Sequence, residues 1–212
     1  MTDNFKLIKE FIQSQFDGKF NSFADVFYMV EIIRRHKDNT NFKDHKFKTY
    51  YIRTIEDLDK YEDEIKTVCN VLNMRAYISV NYKSMKHVTL NAIAEYANHV
   101  ARDNFDKSYS LFDSCAAKYA ERDKQLWIVD VDKKDADINN ISIDDLVENY
   151  IKVIASCEPK NKIVTVIPTK SGKHIITHKF NISEFMKQVR NNKQIDEFVK
   201  KNNFTLLYEN IK

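Results

Sequence analysis

Glycine and proline are scarce, two of each in 212 residues, and they gather into no repeat or low-complexity tract. That excludes linker-like and fibrous architectures. Cysteine is scarce too: Cys69, Cys115 and Cys157 are odd in number, scattered, and without a C-x-x-C pair. A disulfide framework and a zinc site are thereby excluded, and reduced core or near-core thiols are expected. No run approaches the roughly 18 apolar residues of a membrane span. The opening MTDNFKLIKEFIQSQF is amphipathic rather than a charged-then-apolar leader, so a soluble, cytoplasmic protein with no membrane partner is expected. One-sided charge is also missing. Thirty-four Lys+Arg against thirty-one Asp+Glu leave a net +3, which permits a nucleic-acid partner without requiring one.

What is present is ample apolar material: 43% of the residues are hydrophobic, enough for one domain or two small lobes sharing an interface. Leu7, Ile8, Phe11 and Ile12 fall at helical spacing and predict a helix over 4–16. DVFYMVEIIRR and FKTYYIR predict strands separated by the polar HKDNTNFKDH. Thr54 with Asp57 three residues later marks a helix start, and Leu58, Tyr61, Ile65, Val68, Cys69 and Leu72 keep one face to about Asn73. MRAYISV predicts a strand, and Ser84 caps a helix whose stripe is Val88, Ala92, Tyr96 and Val100. Over 105–124 the pattern weakens into a connecting segment between an N-terminal αβ module, 1–104, and a second module, 125–212.

The second module reads more clearly. QLWIVDVD is a strand. Ser142 opens a helix with Ile143, Leu146, Val147, Tyr150, Ile151 and Ile154 on one side. KIVTVIP and KHIITHKF are strands around a Thr169–Gly172 turn. Ser183 caps a helical stretch with Phe185, Met186, Val189, Ile195, Phe198 and Val199, and FTLLYE closes the chain as the last strand. The expected class is α+β, with a ferredoxin-like, RRM-like β-α-β-β-α-β order in this half. That fold makes its first and third strands, Leu126–Asp132 and His174–Phe180, central neighbours.

Side chains alternate along a strand, so Trp127, Val129 and Val131 face the helices while Ile128, Asp130 and Asp132 face the other way. Two carboxylates one pleat apart, about 7 Å by the strand rise, repel unless a cation lies between them. Hard divalent ions such as Mg²⁺ prefer such oxygens together with substrate phosphates. Ser171, Gly172, Lys173 and His174 stand where the neighbouring strand begins. A glycine there allows close backbone approach, and its neighbours offer N–H groups and a cation, a natural seat for phosphate. The bland readings are a solvated loop entry for the aspartates and a plain hairpin turn for the second stretch. An ordinary RNA-recognition module would put base-stacking aromatics on these strands; Asp and His stand there instead. Arg34, Arg35, Arg75 and Lys83 cluster near strand ends and are candidate contacts to a phosphate backbone. His178 shares the strand with His174 as a conceivable second metal ligand or a solvated strand end.

An apolar strand ending in D-x-D, LWIVDVD, followed by a serine and histidine element within SGKHIIT on such a module, resembles the archaeo-eukaryotic primase superfamily, the primase-polymerases. The similarity is to small phage- or plasmid-type members and covers chiefly residues 126–209; Ser171 stands three residues before His174 rather than two. The family's third motif, an apolar residue then Asp on a later strand, is missing in that form, and Glu209 in LLYE is the nearest substitute. The resemblance implies a metal-dependent nucleotidyltransferase acting on nucleic acid, as single-stranded DNA or a primed template, and on nucleoside triphosphates, in a bacterial or phage-infected cytoplasm. It implies that Asp130, Asp132 and Glu209 hold Mg²⁺ or Mn²⁺ and that His174 contacts the incoming nucleotide. The alternatives are a non-catalytic nucleic-acid or nucleotide-binding protein with a degraded site, and a metal-dependent nuclease using the same carboxylates.

Overall fold

A computed structural model describes residues 1–16, 25–36, 43–106, 108–119, 125–159, 162–189, 198–201 and 203–210. Within them the chain is a mixed α+β protein of seven α-helices and two antiparallel sheets. The first sheet contains β1 (Thr2–Asp3), β2 (Val26–Arg34), β3 (His45–Ile52), β4 (Arg75–Ser79), β5 (Lys83–Ser84) and β10 (Phe204–Glu209). Its order is β1-β10-β4-β2-β3, with β5 also paired to β2. The second contains β6 (Trp127–Asp132), β7 (Ile163–Pro168), β8 (Gly172–Thr177) and β9 (Val199–Lys201), in the order β7-β8-β6-β9. The helices are α1 (Phe5–Ser14), α2 (Ile55–Leu72), α3 (Met85–Val100), α4 (Leu111–Lys118), α5 (Lys133–Asn139), α6 (Ile143–Ser156) and α7 (Ile182–Val189). None of them is long and apolar enough to cross a membrane.

Local signals set most of these bounds. At the start of α2, Thr54 Oγ1 accepts the Asp57 N–H at 3.0 Å and Asp57 accepts the Thr54 N–H at 3.2 Å, a reciprocal capping box. The helix ends on Asn73 in the left-handed region, φ 52°. Ser142 caps α6, accepting the Asp145 N–H at 3.0 Å. On α6, Leu146, Val147, Tyr150 and Ile154 are buried against Val129, Val131 and Ile175 of the second sheet and Phe185 of α7. Each such side chain contributes on the order of 1.5–3 kcal/mol by leaving water.

Three features differ from the sequence reading. FTLLYE does not close the second module: β10 lies between β1 and β4 in the first sheet, and the short β9 forms the second sheet's edge. Thr205–Glu209 are all buried, and a strand covered on both faces needs neighbours on both edges, which the first sheet supplies. Helix α7 is capped by Asn181, whose Oδ1 accepts the Glu184 N–H at 3.2 Å, rather than by Ser183; Ile195 lies outside the described residues. On α3 only Val88 of the expected stripe is buried, because the helix rests on α4 along one line while Tyr96 and Val100 stay exposed.

One hydrophobic core joins the two sheets. Ile8 and Ile12 of α1, Tyr28, Val30 and Ile32 of β2, and Leu58 and Ile65 of α2 pack in the same cluster as Ile128, Ile167 and Ile176 of the second sheet. Two buried asparagines bind the sheets as well. Asn4 Nδ2 donates to Pro168 O at 2.8 Å and to Leu206 O at 2.9 Å. Asn81 donates to Leu126 O at 3.0 Å and accepts the Leu126 N–H at 2.7 Å. These bonds satisfy backbone groups that the junction would otherwise bury unpaired.

Candidate functional site

Between the two sheets lies a cleft of about 540 Å³. One wall is the second sheet: Ile128, Asp130 and Asp132 of β6, His174 of β8, and Thr169, Lys170 and Ser171 of the β7–β8 hairpin. The other is the first sheet: Glu31, Ile33 and Arg35 at the end of β2, Arg75 and Tyr77 of β4, and Phe204 and Leu206 of β10.

The antiparallel register of β6 and β8 sets Asp130 directly across from His174 and Asp132 across from Gly172. His174 Nε2 stands 3.5 Å from Asp130 Oδ1, and Nδ1 is 2.9 Å from Thr205 Oγ1. A carboxylate only accepts, whereas a hydroxyl can donate or accept. The neutral ring therefore meets Asp130 best through Nε2–H, with Nδ1 accepting from Thr205. Thr205 is fully buried on β10, so this bond also reaches from the second sheet to the first. Asp132 stands at the N-cap of α5, and Asp135 accepts its backbone N–H at 3.4 Å. Lys133–Asn139, KKDADIN, is thus a helix, where the bland alternative was a solvated loop entry.

At Gly172 the backbone itself requires glycine. A Cβ built there would sit 2.0 Å from Val131 O, so the close approach of β8 to β6 admits no other residue without a shift. The hairpin closes with Thr169 N–H donating to Gly172 O at 2.9 Å, and Ser171 O accepts the Lys133 N–H at 2.7 Å. Lys173 follows Gly172 on the strand and so points to the opposite face from His174. There it ion-pairs with Asp144 at the start of α6. The cation on this rim of the cleft is Lys170, which the sequence reading did not single out.

The remaining candidates separate. Arg35 and Arg75 line the cleft. The Arg35 guanidinium lies 5.8 Å from the Tyr77 ring centroid and 3.9 Å from Asp44. Arg34, one residue earlier on β2, points to the other side of the strand. Lys83 is 1% exposed and donates to Tyr119 O at 2.9 Å; burial pushes its amine down to about 8. It cannot meet a nucleic acid. Glu209 is also buried, away from the aspartates. Its Oε2 lies 3.4 Å from Arg75 Nε, and its Oε1 accepts from Thr2 Oγ1 at 3.3 Å. His178 lies beyond the end of β8 and is exposed. The acidic residue that does face the cleft from the first sheet is Glu31, paired with Lys46 at 3.2 Å. Alternation along EIIRR places Glu31, Ile33 and Arg35 on one face; nothing in that stretch tells which sheet they will oppose.

The thiols expected from the sequence are free cysteines, with Cys69 and Cys157 buried and Cys115 half-buried. Burial pushes the Cys69 thiol up to about 12. Comparison of the chain with protein-family models, curated proteins and solved structures gives no match.

Among the described residues no group of three His, Cys, Asp or Glu lies close enough to hold a metal ion by itself. The donor chemistry nevertheless suits a hard ion shared with a ligand. Asp130 and Asp132 are half-buried, two residues apart on one strand face, and both border the cleft. Mg²⁺ is commonly bound by one or two carboxylates, with substrate phosphates and water filling its other positions.

Proposed function

We propose that the cleft is the site of a metal-dependent nucleotidyltransferase of primase-polymerase type, acting on nucleoside triphosphates and nucleic acid. On this reading β6-α6-β7-β8-α7-β9 is a ferredoxin-like, RRM-like module, and the strand order β7-β8-β6-β9 with every pairing antiparallel supports it. The observation that carries the proposal is the convergence on one cleft-lining sheet face of Asp130, Asp132 and His174, the histidine 42 residues or more along the chain from either carboxylate.

Asp130 and Asp132 are the residues that would hold Mg²⁺ or Mn²⁺, which would neutralise phosphate charge and lower the pKa of an attacking hydroxyl. His174, fixed at Nδ1 by Thr205, offers Nε2–H to a phosphate oxygen beside Asp130. Lys170 and Ser171 border the same end of the cleft and supply a cation and a hydroxyl for a triphosphate. Arg35 and Arg75, from the opposing wall, supply planar donors suited to phosphodiester oxygens. Holding two reactants between two walls of one core is what an in-line transfer requires of its enzyme.

A second reading, a nucleotide- or nucleic-acid-binding protein without turnover, draws on Glu209. The nearest substitute for a third acidic ligand is engaged with Arg75 instead of with the aspartates. Incorporation of dNTPs or NTPs on single-stranded DNA and on a primed template, with Mn²⁺ or Mg²⁺, separates the two. Extended product from the wild type and none from Asp130→Asn or Asp132→Asn supports the transferase. Binding of both substrates without extension supports the second reading. Shortened DNA, abolished by the same substitutions, identifies a nuclease.

A further inference from the structure

Three residues lie in line across adjacent strands of the first sheet. Thr2 of β1 pairs in register with Glu209 of β10, and Glu209 pairs with Arg75 of β4. Their side chains form a relay: Thr2 Oγ1 donates to Glu209 Oε1 at 3.3 Å, and Glu209 Oε2 lies 3.4 Å from Arg75 Nε, an ion pair without hydrogen-bond geometry. Beyond it, Arg75 Nη1 is 3.5 Å from the Tyr77 hydroxyl, and both Arg75 and Tyr77 border the cleft. The Glu209 side chain is 5% exposed and the Arg75 side chain 14%.

A buried ion pair is a poor means of holding two strands together, because desolvating both charges offsets their attraction and an apolar pair serves as well. It does something an apolar pair cannot. It turns the Nε edge of the guanidinium toward the protein and holds the planar head at the cleft, where Arg35, Lys170 and Lys200 also stand. A guanidinium so fixed loses less freedom when it meets a phosphate than one that must first be ordered.

We propose that Glu209 is a positioning residue which, with Thr2, sets Arg75 as a phosphate receptor on the wall opposite Asp130 and Asp132. The identity of the phosphate-bearing ligand rests on the nucleotidyl-transfer reading; the relay itself does not. The phosphate belongs either to a nucleoside triphosphate or to a polynucleotide backbone, and two binding probes distinguish them.

The experiment measures binding of ATP with Mn²⁺ and of a labelled oligodeoxythymidylate to the full chain, with thermal unfolding in parallel. Arg75→Ala is expected to weaken one probe about ten- to hundredfold, as loss of a charged hydrogen-bonding partner does; the probe that suffers identifies the source of the phosphate. Glu209→Met is expected to weaken the same probe roughly three- to tenfold, the effect of an unordered side chain. Glu209→Gln, which keeps the length and polar end of the acid without its charge, is expected to fall between the wild type and Glu209→Met, its amide still able to donate to Thr2 and its carbonyl to face Arg75.

Purely electrostatic logic gives the opposite sign, since removing an acid beside an arginine tightens anion binding. Unchanged or tighter binding by Glu209→Met overturns the proposal, as does Arg75→Ala binding both probes normally or a wild type that binds neither. Should Glu209→Met not fold, Thr2→Val carries the test, with a two- to threefold loss on the same probe expected and no loss overturning it. A wild type that shows this pattern yet extends no primer keeps the receptor and removes the transferase reading.

Discussion

At Gly172 a missing side chain sets the distance between the two strands that carry the candidate site. Gly172→Ala forces a Cβ against Val131 O, 2.0 Å away, and is expected to cost about 1–3 kcal/mol as β8 moves off β6. A fall in the thermal midpoint checks this; an unchanged midpoint contradicts the close approach. Lys83 carries a different cost. Its amine is depressed by burial from a usual value near 10.5 to about 8, so between those pH values the unfolded chain binds more protons than the folded one. Stability then rises with pH across that window. Relative to Lys83→Met, the wild type is expected to gain on the order of 3 kcal/mol between pH 7.5 and 10.5, measured as the difference in denaturation midpoints. A gap independent of pH contradicts it. At this scale alternation along a strand was enough to put Asp130 and Asp132 on one face. The same rule bars Lys173 from the face of its neighbour His174, once the strand is seen to begin at Gly172.

Elements were legible where their signals are local. The capping box of α2, its left-handed end at Asn73 and the cap of α6 all lie within a few residues of the backbone groups they satisfy. Helix α5 was not legible, because KKDADIN has too short an apolar pattern to distinguish about two helical turns from a charged loop. Its presence gives Asp132 two tasks, capping α5 and bordering the cleft. Two substitutions separate them. Asparagine is as good an N-cap as aspartate, whereas alanine is poor. Asp132→Asn is expected to keep wild-type stability while losing any metal-dependent activity, and Asp132→Ala to lose about 1 kcal/mol as well. Equal loss of stability by both, seen in chemical denaturation, contradicts the capping role.

For the whole molecule, sequence order failed at β10. Leu206, Leu207 and Tyr208 form a continuous apolar stretch that suits a central strand of either sheet, and local pattern does not say which. The choice is made by long-range contacts: pairing with β1 and β4, the Asn4 bonds to Leu206 and Pro168, and the Thr205 bond to His174. The cleft's second wall depends on that choice, which is why Glu31 and Tyr77 of the first sheet escaped a reading that built the acidic site from the second module alone. The junction itself can be tested at Asn81. Asn81→Ala leaves the N–H and carbonyl of Leu126 buried without this partner and is expected to cost about 2–4 kcal/mol. Unfolding should remain one transition, because one core spans both sheets. Two separate transitions would contradict a shared core.

The most direct test of the candidate site is a crystal structure grown with Mn²⁺ and a non-hydrolysable nucleoside triphosphate. The account predicts anomalous manganese density against the carboxylates of Asp130 and Asp132, with phosphate oxygens between the metal and the His174 Nε2. Manganese and nucleotide bound elsewhere, with this cleft holding only solvent at saturating ligand, would contradict it.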